Sequence, residues 1–342
     1  MLEGGLKDQI IILITSGALS FLSASLFSRL FVPIAFAIGA VDRGIGERRM
    51  HREPMARVGG VCIYAACILG ATVAGGGELF SPLLLGGGAI VLGGLWDDIR
   101  GVTPVQKLII QGAAGSLALL VGTPVFRFDM LTELFPRMGG ILEYGASVLW
   151  LILLCNAFNI IDGLDGLCSM SAVGSICALM VLTGFQSTAG LIFLSSVLGF
   201  LPRNLRPARL FLGDSGSMLL GFAMGVLTLD GTSRGVEPLY LMLIVAYPIL
   251  ETLISALRRW LSGNHPFAPD RGHLHHRLCD GGLSHGGAAA LLSLLHSGLC
   301  ALAVTISADG WSGLAVVSLL LLTFALIFVI IMAKNVKSPK GA

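Results

Sequence analysis

The sequence predicts an all-α polytopic integral membrane protein, because apolar residues dominate its composition and gather in long runs. Of its 342 residues, 55% are hydrophobic and only 12% are charged, and the mean hydropathy is +0.86. Apolar runs of about 15 to 25 residues are long enough to cross the hydrocarbon core as helices. About eleven transmembrane helices are expected, at residues 8–28, 59–76, 80–96, 105–125, 144–159, 167–185, 187–201, 215–230, 238–257, 287–307 and 311–333.

Two connecting segments are not expected to cross the membrane. Residues 30–41 are expected to lie along the interface, and residues 126–143 to form a hairpin or short amphipathic excursion. The N-terminal sequence MLEGGLKDQ is polar and nearly neutral, and no small-residue cleavage site follows it, which favours a first span over a signal peptide. No internal repeat or soluble domain is evident, so residues 1–342 are expected to form one membrane domain.

The positions of lysine and arginine predict the orientation of these spans. The net charge of +2 says little about partners, because what matters is where the charges fall. Of the 22 basic residues, 18 fall in segments that alternate with the spans on one side, at 29–57, 97–107, 202–210, 258–280 and 334–342. By the positive-inside rule that side is cytoplasmic, which places the N-terminus outside and the C-terminus inside.

The seven cysteines favour helix packing over disulfides or metal binding. Most of them lie inside apolar runs, where a free thiol behaves as a small hydrophobic side chain. They are Cys62, Cys67, Cys155, Cys168, Cys177, Cys279 and Cys300.

Six carboxylates and four histidines are concentrated in four polar islands at the ends of apolar runs. The islands are Asp97-Asp98, residues 156–167 (NAFNIIDGLDGL), residues 211–217 (FLGDSGS) and residues 265–276 (HPFAPDRGHLHH). An ionisable residue in or near the membrane is costly, about 2.5–3.5 kcal/mol at the helix centre on insertion scales, so such residues are functional candidates. The predicted orientation places all four islands on the cytoplasmic face, where they are expected to form one catalytic surface.

The first island, Asp97-Asp98, ends an apolar run, and Lys107 follows closely. Adjacent carboxylates at a helix end point about 100° apart and need not bind the same ligand. The pair suits a metal-bound carboxylate beside a general base, or two ligands for Mg²⁺. Two solvated acids that cap the next helix remain an equal alternative.

The second island carries amides and acids at a spacing of three residues. Asn156, Asn159, Asp162 and Asp165 would lie along one slowly drifting helical face. Such a stripe suits a hydroxyl-rich ligand that bears phosphate, bound directly or through Mg²⁺. The alternative is a loop with Asx turns between two helices.

The third island places Asp214 just before a helix start. A helix N-terminus favours anions, and a carboxylate beside it can hold a metal ion together with the phosphates that the ion bridges. Alternatively, Asp214 or Ser215 is only an N-cap. Phe211, just upstream, can stack on a flat base or anchor the helix in the interface.

The fourth island combines histidine and arginine, which suit a diphosphate through donated hydrogen bonds and charge. Its candidate residues are Arg271, His273, His275 and His276. Zinc binding with Cys279 is an alternative, although the spacing matches no established zinc pattern. A basic loop that only sets the topology is another.

Together, in this order and between spans, the islands resemble the polyprenyl-phosphate N-acetylhexosamine-1-phosphate transferase family. The resemblance covers residues 42–278 and includes the loop HREPMARVGG at residues 51–60, whereas the spans at 287–333 match only in hydropathy. Members of this family transfer a sugar 1-phosphate from a UDP-sugar to a polyprenyl phosphate and release UMP. The resemblance implies Mg²⁺ as the cofactor, with Mn²⁺ as an alternative.

Within this family the histidine loop is similar to the branch that uses UDP-N-acetylglucosamine to start O-antigen, common-antigen or teichoic-acid linkage units. The branch that uses UDP-MurNAc-pentapeptide carries three contiguous histidines, whereas Leu274 here separates His273 from His275. The resemblance implies undecaprenyl phosphate as acceptor and a bacterial inner-membrane enzyme with a cytoplasmic active site. UDP-FucNAc, UDP-QuiNAc and UDP-MurNAc-pentapeptide are the alternative donors, a homodimer is an alternative to a monomer, and no nucleic-acid partner is expected.

The resemblance also implies roles for single residues. Asp214 is similar to the principal Mg²⁺ ligand, and Asp97 and Asp98 to catalytic aspartates near the metal and the acceptor phosphate. Asp165 and Phe211 are expected to contact uracil. The full expected substrate-binding set is Asn156, Asn159, Asp162, Asp165, Phe211, Lys107, Arg271, His273, His275 and His276.

The reaction route stays open at this point. Direct attack of the lipid phosphate and a two-step route through a phosphorylated Asp214 both fit the residues. The rival from another class is an ion-coupled transporter, which would need acids in the centres of its spans and an internal repeat.

Overall fold

The computed structural model describes most of the chain. The described residues are 2–43, 54–75, 80–128, 133, 135–263 and 272–309. The predicted span 311–333 and residues 265–271 of the fourth island, which include Arg271, lie outside them.

The described residues are almost entirely helical. A π-helical turn, Pro82–Gly86, leads into α3, and two short strands, β1 (Val41–Asp42) and β2 (Met55–Ala56), pair in antiparallel fashion. The helices are α1 Leu2–Ile38, α2 Gly59–Val73, α3 Gly87–Arg100, α4 Pro104–Leu120, α5 Gly139–Ile161, α6 Leu167–Leu182, α7 Thr188–Asn204, α8 Gly213–Ser233, α9 Pro238–Leu243, α10 Ala246–Leu261, α11 Leu274–Asp280 and α12 His285–Asp309.

Four of these helical segments are long and apolar enough to cross a membrane, which agrees with the predicted polytopic helical class. They are Asp8–Ile38, Pro82–Arg100, Gly139–Ile161 and His285–Ala308. The helices α2 and α6 are apolar but shorter. The count of eleven spans stays a prediction.

The prediction of a separate interfacial segment at residues 30–41 is wrong. Helix α1 runs without a break from Leu2 to Ile38 and includes Pro33. A proline inside a helix removes one backbone hydrogen bond, but packing against neighbouring helices can offset the loss. Here α1 packs along both α2 and α7, so tertiary contacts override the local signal.

The predicted span at residues 238–257 is also corrected. The structure divides it into α9 and α10, which meet at Ile244 and Val245. The excursion predicted at 126–143 is shorter than expected, because α5 already begins at Gly139.

Helix α8 forms the centre of the bundle, and almost all of its residues are buried. It packs against α2, α3, α5 and α6. The helices α2 and α3 approach it closely because Gly60 and Gly94 lie directly against the backbone at Ser215, where a Cβ would overlap. Small residues at such contacts are typical of helix packing in membranes.

The outer surface of the bundle is apolar, as expected of a surface that faces lipid. Leu92, Leu149 and Leu294 are each about 70% exposed although they are large hydrophobic side chains. Because consecutive long helices alternate in direction, the ends of α3, α5 and α7 meet the starts of α4, α6 and α8 at one face. The described islands therefore converge there.

Candidate active site

The centre of this face is a group of charged side chains from three helices, which we call the acid centre: Asp97, Lys107 and Asp214. The Lys107 Nζ lies 2.6 Å from Asp97 Oδ2 and 3.4 Å from Asp214 Oδ2. The two carboxylates also contact each other. Asp97 Oδ1 accepts a hydrogen bond from Val102 N at 2.9 Å, which fixes the carboxylate at the turn between α3 and α4. The acid centre thus joins the first and third islands around one lysine.

The second island reaches the acid centre through Asn159. Its Nδ2 donates to Asp214 Oδ1 and, at 2.8 Å, to Ser217 Oγ. Asn156, one turn earlier on α5, instead donates to Gln111 Oε1 at 2.7 Å. The two asparagines share a helical face, but they lie at different depths and reach different neighbours.

Asp98 binds the backbone that carries Asp214 of the acid centre. Its Oδ1 accepts from Asp214 N at 2.9 Å and its Oδ2 from Ser215 N at 3.1 Å. These donors are free backbone N–H groups at the start of α8, so a carboxylate of α3 caps α8. Gly213 permits this contact, because its φ is +70° and a Cβ there would lie 2.5 Å from Asp98 Oδ2. Both carboxylate oxygens of Asp98 are therefore engaged in positioning Asp214.

The loop between α5 and α6, residues 162–166, forms the next part of the site. Asp165 Oδ2 accepts from Ala208 N at 3.2 Å, which ties this loop to the segment before α8. Burial and the charge of Asp214 raise the pKa of Asp162 well above its ordinary value, while Arg57 opposes the shift. The raised pKa means that the charged form of Asp162 is disfavoured here, and a bound cation would reduce that cost.

Phe211 is fixed mainly through its backbone. Its N–H donates to Ala56 O at 3.0 Å, and its carbonyl accepts from Gly59 N at 3.0 Å. The residues at the start of α2 and just before it are thereby joined to the third island. The expected contact between the Phe211 ring and uracil stays a prediction.

The histidines of the fourth island cover the loop at residues 162–166. The rings of His273 and His275 are parallel, with centroids 5.6 Å apart, and the ring of His276 lies 4.3 Å from that of His275. His275 is buried, and its Nε2 lies so close to Gly163 that a Cβ on that glycine would overlap it. This contact brings the second and fourth islands together.

His275 is neutral at physiological pH. Burial, together with the charges of His276 and His273, lowers its pKa from the ordinary 6.5 to about 3. Its Nδ1 is buried and has no hydrogen-bond partner among the residues that the structure describes. A neutral ring can donate a hydrogen bond to an anion without adding charge to the site.

Two buried polar residues of this region were missed by sequence reasoning. Glu251 on α10 accepts from Leu274 N at 2.9 Å and lies 3.2 Å from His273 Nδ1. Gln111 on α4 is fully buried and receives the amide of Asn156. Both occur within predicted spans, and an acid or amide inside an apolar run is the signal that could have found them.

The donor set fits Mg²⁺ better than zinc. In the described ranges, no three His, Cys, Asp or Glu side chains converge to hold a metal ion. Mg²⁺ often uses one or two carboxylates, and water and substrate phosphates fill its remaining positions. Asp97 and Asp214 offer such a pair at the centre of the site, where Lys107 contacts both, whereas both oxygens of Asp98 accept from the start of α8. The metal would therefore be held by Asp97 and Asp214.

Comparison with known proteins identifies the family to which the chain belongs. Residues 80–232 match glycosyl transferase family 4. The chain is 31% identical to the probable undecaprenyl-phosphate N-acetylglucosaminyl 1-phosphate transferase of Bacillus subtilis (strain 168), over 94% of this chain and 93% of that protein.

Two further relatives have related names. The decaprenyl-phosphate N-acetylglucosaminephosphotransferase of Mycolicibacterium smegmatis is 30% identical over 72% of this chain and 71% of its own length. The undecaprenyl-phosphate alpha-N-acetylglucosaminyl 1-phosphate transferase of Escherichia coli (strain K12) is 27% identical, over 83% and 82%. The chain therefore belongs to the glycosyl transferase family 4 enzymes, the polyprenyl-phosphate N-acetylhexosamine-1-phosphate transferases that its four islands resemble.

Proposed function

We propose that the protein transfers N-acetylglucosamine 1-phosphate from UDP-N-acetylglucosamine to undecaprenyl phosphate, giving the lipid-linked diphosphate sugar and UMP. The observation that carries this proposal is the convergence of the acid centre, Asn159 and the histidines on one face of an apolar bundle. A charged, phosphate-binding surface beside lipid is what a reaction between a soluble nucleotide and a lipid phosphate needs. The names of the relatives support the same substrates.

Charge neutralisation is the main catalytic task, because two phosphate anions must meet. Lys107 already bridges Asp97 and Asp214 and supplies one positive charge. When bound at these carboxylates, Mg²⁺ would neutralise further phosphate charge and polarise the phosphoryl oxygens. The neutral His275 and its neighbouring histidines would donate hydrogen bonds to the diphosphate.

We favour direct attack by an oxygen of the lipid phosphate on the β-phosphorus of the donor. The bond from the β-phosphorus to the bridging oxygen breaks, and UMP leaves with that oxygen. A phosphate monoester is largely dianionic at neutral pH, with a second pKa of about 6, so the attacking oxygen needs little help from a base. Asp97 is better placed than Asp98 to position the attacker, because Asp98 is engaged at the start of α8.

The two-step route would instead require attack by Asp214 itself. That carboxylate is held by Asn159 and lies close to Lys107, so it would have to exchange these contacts for the β-phosphorus. That attack would release UMP and leave N-acetylglucosamine 1-phosphate esterified to Asp214, and this adduct, trapped from UDP-N-acetylglucosamine in the absence of lipid and found by mass spectrometry, would favour the two-step route.

The proposal for the donor rests on the histidine loop. Leu274 is buried and separates His273, which precedes α11, from His275 and His276 within it. We propose that the donor site beside these histidines accepts a 2-acetamido sugar and excludes a bulky lactyl-peptide sterically. UDP-FucNAc and UDP-QuiNAc are the alternative donors.

The proposed setting is the bacterial inner membrane, with the acid centre at the cytoplasmic face. The product would begin an O-antigen, common-antigen or teichoic-acid type of glycan. The 18-to-4 distribution of basic residues supports this orientation.

The test is an assay of purified protein in detergent with undecaprenyl phosphate and Mg²⁺. UDP-N-acetylglucosamine and UDP-MurNAc-pentapeptide would compete for one acceptor, and mass spectrometry would identify the lipid product. We expect a lipid-linked N-acetylglucosamine diphosphate, UMP release, and loss of turnover when EDTA removes the metal. A pentapeptide-bearing main product would refute the donor, and no lipid product with any UDP-sugar would refute the reaction.

A further inference from the structure

Glu251 is a buried carboxylate that the reaction described above does not use. It lies on α10, its side chain is only 4% exposed, and its Oε1 accepts from Leu274 N at 2.9 Å. Leu274 is the first residue of α11, and His273, which precedes it, makes no side-chain cap of its own. A carboxylate from a different helix therefore fixes the start of the histidine segment.

The same oxygen also faces the ring of His273. Glu251 Oε1 lies 3.2 Å from His273 Nδ1, and Ser255 Oγ, one turn further along α10, lies 3.1 Å from the same nitrogen. On the other side of the ring, Arg259 Nη2 lies 3.5 Å from His273 Nε2. The ring is therefore held on both sides, because Nδ1 faces the carboxylate and the hydroxyl from α10 and Nε2 faces the guanidinium.

From His273 the contacts continue to the loop at residues 162–166. The His273 ring lies parallel to the ring of His275, and His275 presses on Gly163 beside Asp162. Glu251 thus helps to fix the positions of the histidine rings relative to that loop. Because His275 is neutral and buried, it contributes through placement rather than through charge.

We infer that Glu251 is a positioning residue for the donor diphosphate, acting through His273 rather than touching the substrate. The inference rests on the proposed function, since it assumes that these histidines face a UDP-sugar. It assigns to α10 a share in donor binding, in addition to its place in the bundle.

The test is a double-mutant cycle with Glu251→Gln and His273→Ala. The glutamine keeps an oxygen for Leu274 N–H but removes the charge facing His273, so it probes the ring contact separately from the backbone contact. We expect Glu251→Gln to raise the KM for UDP-N-acetylglucosamine roughly three- to tenfold, with little change in kcat or in the KM for the lipid. In the His273→Ala background the same change should have almost no further effect.

Glu143→Gln is the matched control. Glu143 is also buried and also accepts one backbone N–H, from Phe128 at 2.7 Å, but it lies near the start of α5 at the opposite end of the bundle. This variant should leave both KM values unchanged, even where it lowers the unfolding temperature. If Glu251→Gln does not fold, Glu251→Asp, which is too short to keep both contacts, is measured in the same cycle with the same expectation.

The outcomes separate the inference from the proposed function. Equal KM changes in the His273 and His273→Ala backgrounds, or a wild-type KM for the folded Glu251 variant, would overturn the positioning role. A wild-type enzyme that releases no UMP would instead overturn the proposed function.

Discussion

At the scale of single residues, Asp214 is the point at which distant parts of the chain meet. Its carboxylate contacts Lys107 from α4 and Asn159 from α5, and its backbone N–H donates to Asp98 from α3. Three helices thus hold one carboxylate in a fixed position. A carboxylate that the protein holds so firmly is suited to binding a metal ion, which can in turn bind phosphates.

We expect Asp214→Asn to abolish transfer while the protein stays folded. The amide keeps the size of the side chain but removes the charge that would hold Mg²⁺ and face Lys107, a loss of several kcal/mol at the reacting phosphorus. UMP release by the purified variant checks this. Asp230→Asn is the control, because Asp230 lies on the same helix and pairs with Arg234 at its far end. Near wild-type release by folded Asp214→Asn would contradict the assignment.

A second residue-scale prediction concerns acid sensitivity. His275 binds a proton only near pH 3 in the folded protein, whereas the unfolded chain binds it near pH 6.5. Below pH 6.5 the unfolded state therefore holds the extra proton, and stability falls as the pH falls, by up to about 2 kcal/mol between pH 7 and pH 5.

The measurement is the unfolding temperature in detergent at pH 7 and pH 5. We expect His275→Asn to lose less stability on acidification than the wild type, although it starts from a lower value. His285→Asn, which removes a less buried histidine at the start of α12, serves as the comparison. An unchanged acid-induced shift in His275→Asn would show that another group causes it.

At the scale of elements, the contact between α11 and the loop at residues 162–166 depends on one glycine. A Cβ at Gly163 would overlap His275 Nε2, so even alanine must displace the ring or the loop. We expect Gly163→Ala to lower kcat/KM for the donor by about tenfold or more, since small misplacements of binding groups reduce turnover strongly. Steady-state kinetics with purified protein would measure it.

The control for this prediction is Gly145→Ala in α5, where a Cβ would meet nothing within 4 Å. Alanine is the better helix former, so this variant should keep full activity and equal or greater stability. Similar kinetics for the two variants would mean that the contact with His275 does not matter for the donor.

The sequence located polar islands whose described residues lie together in the structure, but it did not show which neighbour each residue contacts. Spacing placed Asn156 and Asn159 on one face, yet only Asn159 reaches Asp214, because depth along α5 decides the neighbour. Likewise, Asp97 and Asp98 read as a pair, but one meets Lys107 and the other caps α8. Both distinctions arise from contacts between helices, some of them between residues more than a hundred positions apart in the chain. The periodicity of the sequence does not encode such contacts.

Tertiary packing also explains the errors in the elements themselves. The first span was predicted to end at residue 28, whereas α1, which packs against α2 and α7, is continuous to Ile38. Glu251 was overlooked because it lies in an apolar run that was predicted to form a single span. Its partner, the N–H of Leu274 at the start of α11, lies 23 residues further along the chain. Hydropathy locates helices well, but it does not show which buried acid supports which loop.

At the scale of the whole molecule, the alternating helices collect basic residues and the acid centre on the same side. The ends of α3, α7 and α10 lie on this side and carry Arg100, Arg203 and Arg258. The turns on the opposite side are poor in basic residues. This asymmetry supports the proposed orientation, and positive charge on this side would favour the approach of the nucleotide and lipid anions that the proposed reaction uses.

The resulting topology can be tested in intact cells. In a variant without the seven native cysteines, Ser262→Cys and Ser284→Cys should be shielded from an impermeant thiol reagent, and Gln186→Cys should react with it. All three positions are exposed, but the first two follow α10 and precede α12 on the side of the acid centre, while Gln186 lies in the turn between α6 and α7. After the membrane is permeabilised, all three should react equally, which controls for access. Labelling of position 262 from outside would reverse the orientation and place the acid centre away from the cytoplasmic nucleotide-sugar that the proposed reaction consumes.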